Sequence, residues 1–260
     1  MSNHKLSVLI TRPEKAGRDL QTCLEQYGYR SYCQPFFDYQ AAENLEQLLT
    51  LQKQLSSPIV IFISVAAVEF AEKLMQISLW SAPIFIAVGS ATQQALKALG
   101  INALVPDKHD SDGVLALLPL KNVQNKNVMI VRGDGGRELI ADALRQRGAA
   151  VHYFESYRRV WRNYPQKIIK TWHQQEINCI LITSNALLEF IVNLIEGSDP
   201  YWQKQCLWVV ASQRIADNAK KMGLQRVVNA NGANTTAIIR ALACELNDIM
   251  TFLFCTFFKG

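Results

Sequence analysis

The sequence predicts an α/β protein with two similar three-layer domains, each built on a parallel sheet with helices on both faces. Two observations lead to this prediction. Short apolar runs, typical of buried strands, alternate with amphipathic stretches, typical of helices, along almost the whole chain of 260 residues. The second half also repeats landmarks of the first half at a nearly constant spacing, which indicates an internal duplication.

The repeated landmarks are residues at the predicted ends of strands and helices. Four pairs recur at separations of 120 to 124 residues: Ser64 and Ser184, Gly89 and Ser212, Gly100 and Gly223, and Ser111 and Thr235. The apolar run that leads to Arg132 also repeats the run that leads to Arg12, 120 residues earlier. Chance does not readily give so many matches at one period, so we infer a duplicated chain.

The first half is predicted to open with one strand and one helix. Residues 6–10 are an apolar run, and Pro13 suits the first turn of a helix, because its missing N–H needs no partner there. Gly28 suits the end of that helix. Further strands are expected at 59–63, 84–88 and 103–105, and further helices at 43–55, 65–76, 90–99 and 111–118. Ser111 is the predicted N-cap of the last of these helices.

The second half is predicted to follow the same plan. Its strands are expected at 128–131, 179–183, 207–211 and 225–228, and its helices at 136–147, 165–174, 185–196, 213–222 and 235–247. Two aromatic-rich extended segments, 29–39 and 149–160, end the first β-α unit of each copy. Because Pro35 cannot donate a hydrogen bond inside a sheet, we interpret 29–39 as an edge strand or an extended connector.

Composition and charge exclude nucleic acid as a partner. The chain is 49% hydrophobic and 19% charged, which is typical of globular proteins. The net charge is +5, but the lysines and arginines are scattered and interrupted by acidic residues, so they form no basic stripe. A mild positive charge of this kind better suits a small anionic ligand.

Cysteine and histidine positions predict no metal site. The six cysteines contain no C-x-x-C pair, and the four histidines are isolated from one another along the chain. We expect reduced thiols, which favour a cytoplasmic location. The N-terminus has no apolar signal region, which is consistent with that location.

The C-terminal stretch 249–260 is almost wholly apolar as far as Phe258. Its apolar part is roughly half as long as the ~20 residues that a helix needs to cross a bilayer, so we expect no stable membrane insertion. Two interpretations stay open. The tail either packs on the protein or is disordered, or it contacts a membrane or a partner.

Candidate ligand-binding residues lie where predicted strands end and helices begin. In an open parallel sheet these points share one edge, where helix dipoles and free N–H groups favour anions. The candidates are Arg12, Ser64, Gly89, Ser90, Thr92, Arg132, Ser184, Asn185, Ser212, Gln213 and Arg214. An alternative is that the serines are only helix caps and that Arg12 and Arg132 only brace their turns.

The glycine turn 133–136 does not match a nucleotide-binding loop. It lacks the third glycine of the dinucleotide fingerprint, and Asp134 would repel a pyrophosphate. Tyr157 is the one side chain outside this set that we single out, because the extended segment 149–160 could place its phenol over a cleft as a hydrogen-bond donor. The alternative is an aromatic side chain that only packs that segment.

With these pieces in place, the chain resembles the uroporphyrinogen-III synthase family from residue 6 to about 246. The residues that carry the resemblance are Leu9-Ile10-Thr11-Arg12-Pro13, Ile61-Phe62-Ile63-Ser64, Val88-Gly89-Ser90-Ala91-Thr92, Val131-Arg132-Gly133, Gly136-Arg137-Glu138-Leu139, Tyr157-Arg158 and Leu181-Ile182-Thr183-Ser184. The resemblance implies a discontinuous domain, 1–36 plus 159–248, and a continuous domain, 37–158. The two extended segments would pair as a two-stranded antiparallel linker.

The resemblance also implies the reaction. A linear tetrapyrrole with several carboxylates, hydroxymethylbilane, would enter an interdomain cleft, lose water, and close to uroporphyrinogen III with inversion of its last pyrrole ring. No cofactor would be needed, and the protein would be a monomer. The family tyrosine falls on Tyr157, which would help the hydroxyl group to leave, and backbone amides and hydroxyls at the strand ends would hold the carboxylates.

Two departures from the family pattern limit this inference. Ile63 stands where the family often has threonine, and Ile215 stands where a second threonine is usual, so no hydroxyl role is carried over to either position. Two rival functions stay open: a two-lobed protein that binds a small anion, and an inactive regulatory homologue.

Overall fold

The apolar runs of the sequence form the strands of two sheets in the structure, a computed structural model that describes residues 6–42, 45–56, 58–108, 110–135 and 138–245. Contacts divide the chain into two units. The discontinuous unit joins the chain up to Asp38 to the chain from Trp161 onward, and the continuous unit is Tyr39–Val160. The assignment of domains 1–36 plus 159–248 and 37–158 stays a prediction.

The described strands are numbered in chain order. They are β1 (Ser7–Ile10), β2 (Arg30–Cys33), β3 (Phe37–Ala41), β4 (Ile59–Phe62), β5 (Ile84–Ala87), β6 (Ala103–Leu104), β7 (Asn127–Gly133), β8 (Ala150–Trp161), β9 (Cys179–Ile182), β10 (Leu207–Val210) and β11 (Val227–Asn229).

The helices are numbered in the same way. They are α1 (Glu14–Gln26), α2 (Leu45–Gln54), α3 (Val65–Leu74), α4 (Ser90–Ala98), α5 (Ser111–Ala116), α6 (Leu118–Lys121), α7 (Leu139–Gln146), α8 (Ile168–Gln174), α9 (Asn185–Ile195), α10 (Tyr201–Lys204), α11 (Gln213–Lys221) and α12 (Thr235–Glu245), with a 3₁₀ turn at Ile77–Leu79.

The two sheets share one strand order. The sheet of the discontinuous unit has the order β11-β10-β9-β1-β2, and the other sheet has the order β6-β5-β4-β7-β8-β3. Every strand except β3 has a counterpart at the same place in the other sheet. Within each sheet, neighbouring strands other than β3 run parallel. The shared order is what a duplicated chain should give, and the predicted fold class is confirmed.

The predicted extended segment 29–39 is two strands, not one. Pro35 separates β2, an edge strand of the discontinuous unit, from β3, an edge strand of the other sheet. β3 pairs with β8, and backbone hydrogen bonds join Ala42 N to Ser156 O (3.0 Å) and Arg162 N to Phe36 O (2.9 Å). Because the numbers rise on one strand as they fall on the other, this pair is antiparallel.

The sheet that contains β4 and β7 is covered on both faces. Alternate side chains of these strands point to opposite faces, and both sets are buried. One face carries Val60, Phe62, Met129 and Val131 and packs against α3 and α4. The opposite face carries Ile59, Ile61, Val128 and Ile130 and packs against α5 and α7. Burial on both faces explains why the sequence reads as continuous apolar runs.

The N-cap of α5 lies one residue earlier than the sequence indicated. Asp110, not Ser111, is the N-cap of α5, and its Oδ1 accepts a hydrogen bond from Gly113 N at 2.9 Å. Asn234 caps α12 in the same way, accepting from Ala237 N at 2.8 Å. The prediction of Ser111 as a cap is wrong, because the side chain that reaches the third N–H of the helix belongs to the preceding residue.

Some predicted features lie outside the described residues. These are the first residues of the helices predicted at 43–55 and 136–147, the last residues of the helix predicted at 235–247, and the apolar tail 249–260. Within the described ranges, no helix combines the length and the apolarity needed to cross a membrane.

We expect Asn234→Ala to lower the free energy of unfolding by about 1 kcal/mol, because the first turn of α12 loses its side-chain acceptor. Urea unfolding of the purified protein measures this loss. Thr235→Ala is the matched control and should cost much less, since residue 235 already lies inside the helix. An equal loss in both variants would contradict the assignment of the cap.

Candidate functional site

The strand ends of the continuous unit carry hydroxyl and backbone donors. Ser64 follows β4 and caps α3, because its Oγ accepts a hydrogen bond from Ala67 N at 3.1 Å. Gly89 follows β5 as the N-cap of α4, whose first residue, Ser90, is exposed, whereas Thr92 is buried. Since β4 and β5 are parallel neighbours, these helix N-termini share the carboxyl edge of the sheet.

Tyr157 is buried, with only 3% of its surface exposed. Its hydroxyl group lies 3.2 Å from Ser64 Oγ, and either oxygen can be the donor. The ring packs edge-on against Tyr39 at 4.8 Å and tilted against Phe70 at 5.7 Å. The phenol therefore has an aromatic packing role and also a polar end at the N-terminus of α3.

A β-bulge explains this orientation. Arg132 of β7 pairs with Glu155 of β8, but the next residue, Gly133, pairs with Tyr157, so Ser156 is an extra residue in β8. The Ser156 hydroxyl group is buried and donates to the Ala67 carbonyl at 3.1 Å. The bulge places Tyr157 on the face of the sheet that α3 covers.

The Arg132 side chain bonds mainly to the turn that directly follows it. Its Nε donates to the carbonyl groups of Gly133 (3.2 Å) and Gly135 (3.1 Å), and its Nη1 donates to Glu138 Oε1 (3.0 Å). Its guanidinium also lies over the Tyr153 ring, 4.5 Å from the centroid. These contacts support the interpretation that Arg132 braces the turn; its role as a substrate-binding residue stays a prediction.

The strand ends of the discontinuous unit repeat the capping pattern but carry polar atoms that have no hydrogen-bond partner among the described residues. Ser184 caps α9 by accepting from Leu187 N at 3.2 Å, as its counterpart does in the other unit. Asn185 Oδ1 and Ser212 Oγ are buried without a hydrogen-bond partner among the described residues. Because β9 and β10 are parallel neighbours, these two atoms follow adjacent strand ends.

Arg12 supplies a cationic group at the same edge. Its guanidinium donates to the Ala233 carbonyl, and burial lowers its pKa to about 10. The side chain therefore stays protonated at neutral pH, although it has lost part of its hydration. A partly desolvated guanidinium is well suited to bind a carboxylate.

The remaining predicted residues are Gln213 and Arg214, and the structure adds two that the sequence analysis missed. Gln213 donates to Asp217 at 2.8 Å and accepts from Asn229 Nδ2 at 3.2 Å, whereas Arg214 is exposed. Asn229 and Asn231 bond to each other in the turn after β11. Three asparagines between 229 and 234 were a signal for a polar turn, but nothing in the sequence linked them to Gln213.

The described ranges contain no ready-made metal site, since no group of three histidine, cysteine, aspartate or glutamate side chains in them is arranged to hold a metal ion. The carboxylate of the glycine turn has a structural contact instead. Asp134 Oδ1 accepts a hydrogen bond from Arg159 N at 2.9 Å, so it stabilises the backbone beside Tyr157.

The fold and these residues define a class of α/β protein in which helix N-termini and polar side chains collect at the carboxyl ends of the parallel strands of two similar sheets. The family model described as uroporphyrinogen-III synthase HemD matches residues 18–240 of the chain. The uroporphyrinogen-III synthase of Escherichia coli (strain K12) is 33% identical over 245 residues, which are 91% of this chain and 100% of that protein. The uroporphyrinogen-III synthase of Salmonella typhimurium is 32% identical over 245 residues, again 91% of this chain and 100% of that protein.

Two solved structures show the same fold. A mutant uroporphyrinogen III synthase from the extremely thermophilic bacterium Thermus thermophilus has a TM-score of 0.59 at 14% identity, covering 96% of this chain and 99% of that chain. The uroporphyrinogen-III synthetase from Helicobacter pylori 26695 has a TM-score of 0.59 at 13% identity, covering 93% and 99%. This chain belongs to the uroporphyrinogen-III synthase family, an enzyme family of tetrapyrrole biosynthesis, as its resemblance indicated.

We expect Arg132→Met to lower the free energy of unfolding by about 1–3 kcal/mol, because it leaves the buried Gly133 carbonyl and the partly buried Gly135 carbonyl without their donor. Arg145→Met is the matched control, since Arg145 also lies over the Tyr153 ring but its side chain is 45% exposed. Urea unfolding compares the two variants. Equal losses would show that contact with the ring, not bracing of the turn, is what Arg132 contributes.

Proposed function

We propose that this enzyme closes hydroxymethylbilane to uroporphyrinogen III, with loss of water and inversion of the last pyrrole ring, and without a cofactor. Family membership supports the reaction class. The contact between the Tyr157 hydroxyl group and Ser64 Oγ, at the N-terminus of α3, is the observation that supports a catalytic role for particular residues. An interdomain site, a cytoplasmic location and a monomeric state stay predictions.

The proposed role of Tyr157 is to protonate the hydroxyl group that leaves as water. A phenol that gives up its proton becomes an anion, and the N-terminus of α3 favours negative charge at that position. Ser64 Oγ already accepts from Ala67 N, so its own proton is free to be donated to the phenolate. Burial of the ring holds the phenol in one orientation while this happens.

The proposed role of the discontinuous unit is to bind substrate carboxylates and other polar groups. Arg12 offers a partly desolvated positive charge, and the N-termini of α9 and α11 offer free N–H groups. Asn185 Oδ1 and Ser212 Oγ would gain the hydrogen-bond partners that they lack among the described residues. We keep Gly89, Ser90 and Thr92 as proposed contacts of the other unit.

Positioning is expected to matter more than any one side chain. The linear substrate is reactive and also closes unaided, but to the wrong isomer, so the enzyme must mainly hold the chain in the geometry that inverts the last ring. General acid catalysis adds to this effect.

The experiment that tests the function is incubation of the purified protein with hydroxymethylbilane, followed by separation of the product isomers. We expect the type III isomer, with only the symmetric type I isomer in a control without protein. A protein that yields only type I would be the anion-binding protein or the inactive homologue that the sequence leaves open.

We expect Tyr157→Phe to lower kcat roughly 100-fold without abolishing formation of the type III isomer, since a general acid contributes at least about that factor. Tyr201→Phe is the matched control, because its hydroxyl group donates to the Ile177 carbonyl, away from the carboxyl ends of the strands. The control should keep the activity of the unmodified protein. An unchanged kcat in Tyr157→Phe would remove Tyr157 from the mechanism.

A further inference from the structure

Gly133 lies directly against the ring of Tyr157. A Cβ atom added at Gly133 would lie 2.5 Å from Cε2 and Cζ of the ring and 3.0 Å from its hydroxyl oxygen. These distances are too short for any side chain, so even alanine would force the ring to move. The φ angle of Gly133 is outside the left-handed region, so the backbone itself would accept another residue.

The ring has little room to move elsewhere. Tyr39 meets it edge-on, Phe70 lies against it at 5.7 Å, and its hydroxyl group meets Ser64. A Cβ atom at position 133 would therefore push the phenol within a packed aromatic group. Because the hydroxyl-to-hydroxyl distance is already 3.2 Å, a further displacement of about 1 Å would break that contact.

The bulge residue fixes the same side chain from the other direction. Ser156 adds the residue that turns Tyr157 toward α3, and its hydroxyl group donates to the Ala67 carbonyl in the first turn of that helix. Ala67 N in turn donates to Ser64 Oγ. One turn of α3 is thus bonded both to the bulge and to the residue that meets the phenol.

We propose that Gly133 and Ser156 are positioning residues for Tyr157, with Gly133 leaving the space for the ring and Ser156 tying the bulge to the helix whose N-terminus faces the phenol. This proposal rests on the function proposed for Tyr157. In this proposal neither Gly133 nor Ser156 touches the substrate. Both act through the position of one hydroxyl group.

The test is a double-mutant cycle on turnover of hydroxymethylbilane. Gly133→Ala should lower kcat roughly tenfold in the unmodified protein, because small misplacements of a catalytic group are costly. In the Tyr157→Phe background the same substitution should leave kcat unchanged, because no hydroxyl group remains to be misplaced. The ring still clashes there, so the melting temperature should fall by a similar amount in both backgrounds.

Each outcome decides the proposal. An equal fold-loss of kcat in both backgrounds would overturn it, since the glycine would then act through general stability. No loss in either background would also overturn it. If Tyr157→Phe alone leaves kcat unchanged, the function proposed for Tyr157 fails first, and the positioning role falls with it.

Two further variants separate positioning from folding. Ile61→Val removes a buried methyl group on the opposite face of the same sheet, so it should lower the melting temperature and leave kcat unchanged. Ser156→Ala removes the tether and should lower kcat in the Tyr157 protein only, whereas Ser156→Thr, which keeps the hydroxyl group, should restore most of it. If Gly133→Ala yields no folded protein, Ser156→Ala and Ser156→Thr test the proposal instead, each compared in the Tyr157 and Tyr157→Phe backgrounds. An equal loss of kcat from Ser156→Ala in both backgrounds would overturn it.

Discussion

The register shift between β7 and β8 determines where the principal candidate side chain of the continuous unit lies. A regular strand alternates its side chains between the two faces of a sheet, so Phe154 and Tyr157 would lie on opposite faces. The extra residue, Ser156, moves Tyr157 to the face that Phe154 already occupies. The phenol thereby contributes its ring to the core and its hydroxyl group to the carboxyl edge of the sheet, where α3 begins.

The two units share a strand order but differ in the chemistry at their strand ends. Ser64 and Ser184 cap equivalent helices by the same hydrogen bond, so the duplicated backbone supplies the same kind of edge twice. In the continuous unit that edge holds a phenol next to a hydroxyl group, which suits proton transfer. In the discontinuous unit it holds the cation of Arg12, which suits binding of carboxylates. It also holds the Asn185 Oδ1 and Ser212 Oγ atoms, which have no hydrogen-bond partner among the described residues and suit other polar groups of a ligand. The proposed reaction needs both kinds of group.

The sequence predicted the strands and the fold class well, because a strand that is buried on both faces consists of a continuous run of apolar residues. The sequence predicted helix caps and side-chain orientations less well. Asp110 and Ser111 are both good caps, and only the structure shows which side chain reaches the helix N–H groups. The orientation of Tyr157 was not predictable either, because a one-residue bulge reverses the face of a strand residue without a clear sequence signal. The asparagine turn that meets Gln213 depends on contacts between distant residues.

In the proposed arrangement, Gly133 and the bulge hold the Tyr157 hydroxyl group beside Ser64. A crystal structure of the Gly133→Ala variant is the decisive measurement. We expect the phenol to be displaced, its oxygen to leave hydrogen-bond distance of Ser64 Oγ, and the ladder between β7 and β8 to keep its shifted register. A variant structure with alanine accommodated, the ring unmoved and the 3.2 Å contact intact would contradict it.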